Sequence, residues 1–175
     1  DEIDTPVTVT LRVVDDVPVL DAQKPSDTLT VEDEEFTPAT DETTDATPDY
    51  TKSMVGDFRD NVDWGADDFG QVTRVVFTPE EGAPVELDMR GSSLTVYFAQ
   101  DGSYQGTDAT AAAASLEVTS GGTYTFTLLK NMLISGDGEQ MDTLPGTVSV
   151  YGEDKDGDEI DTPVTVTLRV VDDVP

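Results

Sequence analysis

Apolar residues in this chain return at every second position rather than every third or fourth. Across residues 164–171, Val164, Val166, Leu168 and Val170 alternate with Thr165, Thr167, Arg169 and Val171, the period of a strand with one buried face. The same alternation marks Thr28 to Val31, Gln71 to Thr78, Leu94 to Ala99, Ser115 to Thr119, Thr123 to Leu129 and Thr147 to Tyr151. Turn-forming pairs separate most of these runs: Asp101-Gly102, Gly121-Gly122 and Asp156-Gly157. Seven or so short strands with such punctuation predict an all-β chain folded as a β-sandwich. The stretch from Thr37 to Thr51 is Thr, Asp, Pro and little else, and reads as a long surface loop. Ala111 to Ala114 is open to two readings, one helical turn capped by Asp108 or the approach to a strand.

A repeat organises the chain. Residues 1–18, DEIDTPVTVTLRVVDDVP, recur unchanged as residues 158–175, an offset of 158 − 1 = 157. Chance does not produce an identity of that length, so one unit is expected over 19–175, with 1–18 the last strand and linker of a preceding copy in a tandem array. Pro163 stands at the first position of the closing strand, where its missing N–H costs little. Asp172-Asp173-Val174-Pro175 ends it, and because the proline holds its neighbour extended, the connection to the next unit is expected to be short and stiff. Two copies of one strand cannot fill a single slot. The N-terminal copy is therefore expected to pair with a sheet edge or to complete a neighbouring molecule's fold by strand exchange.

Composition narrows the chemistry. The 175 residues carry 38 acidic side chains against 9 Lys and Arg, a formal net charge of -29, so nucleic acid and anionic membrane surfaces are poor partners. With no His and no Cys, imidazole- and thiolate-based nucleophiles, zinc centres and iron-sulfur ligation are removed in their usual forms. The missing thiols suit a protein exported unfolded. No apolar run reaches the length of a membrane span or a signal-peptide core, so any export signal is expected outside this segment. High charge with modest hydrophobicity is also the mark of disorder, but the strand alternation argues against it.

What remains is carboxylate, in clusters. Asp154, Asp156 and Asp158 alternate around Gly157, which lets several carboxylates converge on a hard cation such as Ca²⁺, an ion that takes about 6–8 oxygens. The spacing is not that of an EF-hand: with Asp154 first, Glu159 stands where the invariant Gly belongs and Thr165 where the bidentate Glu belongs. The plain alternative is a solvated acidic turn, against which stands the repulsion of so many like charges. In a sandwich of this order two composite sites are expected. One pole gathers Asp154, Asp156 and Asp158 with Asp15, Asp16 and Asp21 from the incoming linker. The other gathers Glu32 and Glu34 with Asp172 and Asp173. A further run, Asp57, Asp60, Asp63, Asp67 and Asp68, surrounds Phe58, Trp64 and Phe69; aromatic core anchors with exposed polar neighbours are the favoured reading there, ahead of a metal or sugar site. Nothing singles out the carboxylate pair that a glycoside hydrolase needs.

The linker VVDDVP, the early VEDEE, the segment DFRDNVDWGADDFGQVTRVVF, the run TYTFTLLKNM and the ending VYGEDKDGDEIDTPVTVTLRVVDDVP together resemble the tandem extender repeats of large RTX adhesins, over nearly all of 19–175. That resemblance implies an immunoglobulin-like or cadherin-like β-sandwich of about seven or more strands. It also implies a non-enzymatic, Ca²⁺-stabilised spacer on the extracellular surface of a Gram-negative bacterium, exported by type I secretion, that carries distal ligand-binding domains for adhesion and biofilm formation. Its partners would be neighbouring repeats of the same chain, with no direct membrane contact, and Asp154, Asp156, Asp158, Asp172 and Asp173 are the ligands it implies. The GGxGxDxUx nonapeptide of RTX β-rolls is absent. An alternative from another class is an adhesion module that binds carbohydrate or another surface through the Trp64 region.

Overall fold

The computed structural model describes residues 8–12, 15–32, 52–134 and 141–171. Among these residues every regular element but one is a strand: β1 (Val19–Leu20), β2 (Ser26–Glu32), β3 (Ser53–Asp57), β4 (Val62–Asp63), β5 (Phe69–Thr78), β6 (Val85–Asp88), β7 (Ser93–Phe98), β8 (Tyr104–Gly106), β9 (Ala114–Thr119), β10 (Thr123–Leu128), β11 (Met141–Thr143), β12 (Thr147–Asp154) and β13 (Val164–Val171). The exception is one 3₁₀ turn, Phe58–Asn61, capped by the Asp57 carboxylate, which accepts the Arg59 N–H. All seven strands expected from alternation are present.

Two sheets face each other across one core. The first runs β13, β12, β5, β6, with β11 and β2 also on β13. The second runs β3, β10, β9, β7, β8. Side chains from both enter one cluster, including Leu29, Phe77, Val150 and Val166 from the first and Phe98, Leu116, Tyr124 and Phe126 from the second. The alternating Thr and Ser positions stay half-exposed, as a sheet with one wet face requires. The short β1–β4 pair lies where the linker enters.

The pairing of β2 with β13 is parallel and covers seven residue pairs, from Thr165 with Ser26 to Val171 with Glu32. The ends of these strands therefore share one pole, and the turn that precedes β13 lies at the other. Two irregularities of β5 against β12 matter for that turn. Thr73 and Gly70 are extra residues in the ladder, between the Arg74–Tyr151 and Val72–Gly152 pairs and between the Gln71–Glu153 and Phe69–Asp154 pairs. The Thr73 bulge aims its hydroxyl at Glu159, donating to Oε2 at 2.6 Å. Gly70 packs so closely on Asp154 that a Cβ there would overlap the Asp154 carbonyl.

The duplicated strand has two fates. Residues 164–171 form β13 with Val164, Val166, Leu168 and Val170 buried. In the N-terminal copy residues 8–12 are exposed and belong to no strand, so pairing with an edge of its own sandwich is not seen among the described residues. The Ala111–Ala114 ambiguity resolves toward the strand, because Ala111 is a turn residue at φ 60° and Ala114 opens β9. Asp108 does cap, but it caps the turn, accepting the Thr110 N–H at 2.8 Å. The loop expected over residues 37–51 lies outside the described residues.

Candidate metal centre

The turn between β12 and β13 is built around Asp154. Its carboxylate Oδ1 accepts the N–H groups of Gly157 and Asp158 at 2.9 and 2.8 Å, and its own N–H bonds the Asp158 carbonyl. Gly157 sits at φ 103°, where a side chain would be strained, so the turn needs glycine there. Asp154 is only 2% exposed. Its second oxygen, Oδ2, is buried and has no hydrogen-bond partner. An uncompensated carboxylate oxygen inside a protein is costly, and a cation is the ordinary remedy.

Two neighbours supply the rest of a site. One carboxylate oxygen each from Asp154, Asp156 and Asp158 lie within 4.8 Å of one another, and the same holds for Asp15, Asp67 and Asp156. Oxygens bound to one Ca²⁺ at ~2.3–2.6 Å are separated by no more than about twice that length, so both triplets have the dimensions of a cation shell. Mutual repulsion registers in the protonation equilibria. Asp156 is pushed up to about 7, chiefly by the Asp154 carboxylate against it, with burial and the charges of Asp15 and Asp67 adding. Asp158 is raised by burial and by Asp15, Asp154 and Asp67. Burial opposes the charge on Asp154, yet the groups donating to its carboxylate hold it below the usual range.

Local chain geometry brings the three segments together. The linker docks through Asp16, whose Oδ2 accepts the Ala66 N–H at 3.2 Å, against Gly65 at φ 60°. A Cβ on Gly65 would overlap that carboxylate. The loop that carries Asp67 is tied to the turn by Lys155, whose N–H bonds the Asp68 carbonyl and whose Nζ pairs with Asp68 at 2.8 Å. Behind the turn, Glu159 accepts from Thr73 and pairs with Arg74 at 2.9 Å, while Arg74 stacks 3.5 Å from the Tyr151 ring centroid.

Of the residues expected at this pole, Asp154, Asp156, Asp158 and Asp15 converge. Asp16 stands beside them but its carboxylate faces Ala66. Asp21 is engaged elsewhere, its Oδ1 accepting the Gln23 N–H at 2.8 Å; neither triplet includes it. At the other pole Glu32 ends β2 opposite Val171, whereas Glu34, Asp172 and Asp173 lie outside the described residues. Asp67 is the addition: along the chain it belongs to the acidic run around the aromatics, and only the fold carries it to the turn. That run's aromatic residues do anchor the core, with Trp64 5.0 Å from Phe69 and 5.6 Å from Phe58 between ring centroids. The Trp64 indole N–H donates to the Arg59 carbonyl, so its polar edge is engaged within the protein.

No family model, curated protein or solved structure matches the chain. Among the described residues no helix is long and apolar enough to cross a membrane.

Proposed function

We propose that this chain is a Ca²⁺-stabilised extender unit of a large bacterial surface adhesin, one repeat of a tandem array that spaces distal ligand-binding domains from the cell. The observation that carries this reading is the buried, unpartnered Asp154 oxygen at the head of a carboxylate triplet. With no imidazole or thiolate in the chain, only a hard, oxygen-seeking cation suits the donors. The unchanged 18-residue segment one unit apart supports a spacer, since such regularity suits stacked copies rather than a single binding module. Strand order supports the immunoglobulin-like form of the sandwich: β13, β12, β5, β6 follows the G-F-C-C′ sequence of a variable-type domain and β3, β10, β9 its B-E-D sequence, with β7 and β8 added beyond. The unit has no enzymatic role on this reading, and its partners are adjoining repeats.

Calorimetric titration with Ca²⁺, accompanied by thermal melts at fixed ionic strength, tests the reading. A cation bound only by the folded state adds about 2.7 kcal/mol at a hundredfold excess over Kd, so chelation lowers the melting temperature by several degrees. A melt unchanged in excess EDTA overturns Ca²⁺ stabilisation. A glycan array on the same chain separates the spacer from a carbohydrate-binding module, because a spacer retains no glycan.

A further inference from the structure

A cavity of about 460 Å³ opens between β2 and β3, walled in part by Ser26, Asp27, Gly56 and Asn61; its volume falls in the range of small-molecule sites, about 300–1,000 Å³. Asn61 is 4% exposed. Its Nδ2 donates to the Lys24 and Ser26 carbonyls at 2.9 and 3.3 Å, which turns Oδ1 toward the Tyr124 hydroxyl. That hydroxyl holds one proton for two acceptors. It lies 2.8 Å from Asp27 Oδ2 and 3.4 Å from Asn61 Oδ1, and an O–H···O bond of ordinary length is no longer than about 3.0 Å. The proton therefore belongs to Asp27. Asn61 Oδ1 is left a buried acceptor without a donor of its own, a costly state that a donor entering the cavity would relieve. Burial and the neighbouring Asp27 raise the Tyr124 hydroxyl well above its ordinary value, so it keeps its proton.

The surroundings select the kind of donor. Asp27 and Asp60 set negative charge along the cavity against the single cation Lys24, while Asp57 is already taken by Arg59, which it both caps and pairs with. These carboxylates do not gather as metal ligands do: neither triplet with oxygens within 4.8 Å of one another includes Asp27, Asp57 or Asp60. The arrangement suits a cation larger than a metal ion that brings several donors and no acceptor, which describes an ammonium group with its three N–H bonds. We infer that this cavity binds an organic primary ammonium group, which donates to Asn61 Oδ1 and Asp27 while the rest of the amine lies between β2 and β3. The site shares no residue with the turn before β13, so the inference stands apart from the Ca²⁺ reading.

The probe is 1,4-diaminobutane, titrated calorimetrically into the whole chain at about 0.15 M salt, where diffuse attraction to the charge of -29 is screened beyond about 8 Å. Ca²⁺ is present throughout, so that the turn carboxylates do not compete. One amine per chain is expected, with NMR amide shifts confined to residues 24–27, 55–57, 60–61 and 123. 1,4-Butanediol, of the same length but uncharged, is expected to bind at least about tenfold more weakly. Ser26→Lys sets a cation of the chain's own at the exposed rim and keeps the carbonyl that Asn61 uses; it is expected to weaken the amine at least about tenfold. Ser93→Lys makes the same change of charge at an exposed position of β7, with β10 and β9 between it and β3, and is expected to leave binding unchanged. A free amine and a lysine side chain present the same group: Nα-acetyl-lysine amide bound as tightly as the diamine assigns the site to a partner's lysine, and weaker binding assigns it to a free amine. Absence of saturable binding overturns the inference, as does a Ser26→Lys chain that binds like Ser93→Lys. Diol bound as tightly as diamine also overturns it, in favour of a polyol. None of these outcomes touches the Ca²⁺-dependent melt.

Discussion

Residues 8–12 and 165–169 share the sequence Thr-Val-Thr-Leu-Arg, yet Leu11 is 87% exposed and Val9 74%, while their counterparts Leu168 and Val166 are 4% and 2% exposed. The difference lies entirely in neighbours. The second copy has β12 and β11 along one edge and β2 along the other; the first has none of them beside it. Alternation thus states which face of a strand could be buried, and long-range pairing decides whether it is.

The sharpest way to break that contrast is to truncate the same leucine twice. Leu168→Ala is expected to cost about 2–5 kcal/mol, as for other buried leucines, and Leu11→Ala to stay within about 0.5 kcal/mol. Denaturant unfolding of both variants checks this; similar losses would mean that the N-terminal copy is packed in solution. Gly157 lies just ahead of the second copy, on the turn that introduces β13. Gly157→Ala is expected to cost on the order of 1 kcal/mol, because its positive φ is strained for any side chain, with a matching fall in melting temperature.

A smaller effect is expected from Glu159, the counterpart of Glu2. Burial opposes its charge, but the bonds from Thr73 and Arg74 and the charge of Arg90 prevail and hold its carboxyl below the ordinary 4.5. Its contribution is complete above the unfolded value and is lost as pH falls through the depressed folded one. Glu159→Gln should therefore flatten the acid limb of a plot of melting temperature against pH and lower the plateau near neutrality; parallel wild-type and variant limbs would contradict the ion pair. The smallest change is expected from removing residues 1–14 altogether: a folded monomer by light scattering, with stability within about 0.5 kcal/mol. Unfolding on that deletion would place the unit boundary before residue 19.

The strands that sequence made legible are those with an unbroken alternation, most of them with a glycine turn at one end. Those it hid were short or polar. Ser53–Asp57 carries Gly56, and its glycine has a reason that only the fold reveals: a Cβ there would overlap the Tyr124 ring, whose hydroxyl donates to Asp27 at 2.8 Å. Val85–Asp88 is half acidic and lies at an edge, where burial leaves little pattern. At the candidate site, Asp154, Asp156 and Asp158 were visible because alternation around a glycine is a local signal. The approach of Asp15 followed from knowing which strand ends share a pole. Asp67 was not distinguishable from Asp57, Asp60, Asp63 and Asp68, because its place depends on the extra residue Gly70, which lets the loop close against Asp154.

The parallel pairing of β2 and β13 has a mechanical consequence. The chain enters β2 at one pole and leaves β13 at the other, so tension applied between residues 20 and 171 pulls the two strands in opposite directions along their length. Their ladder, running from Ser26 with Thr165 to Glu32 with Val171, is loaded in shear. Its bonds must yield together, whereas a hairpin pulled from its open end surrenders them one at a time. Pulling across the sheet instead, through attachment points on β6 and β2, would load the edges by peeling and open the same sandwich at lower force.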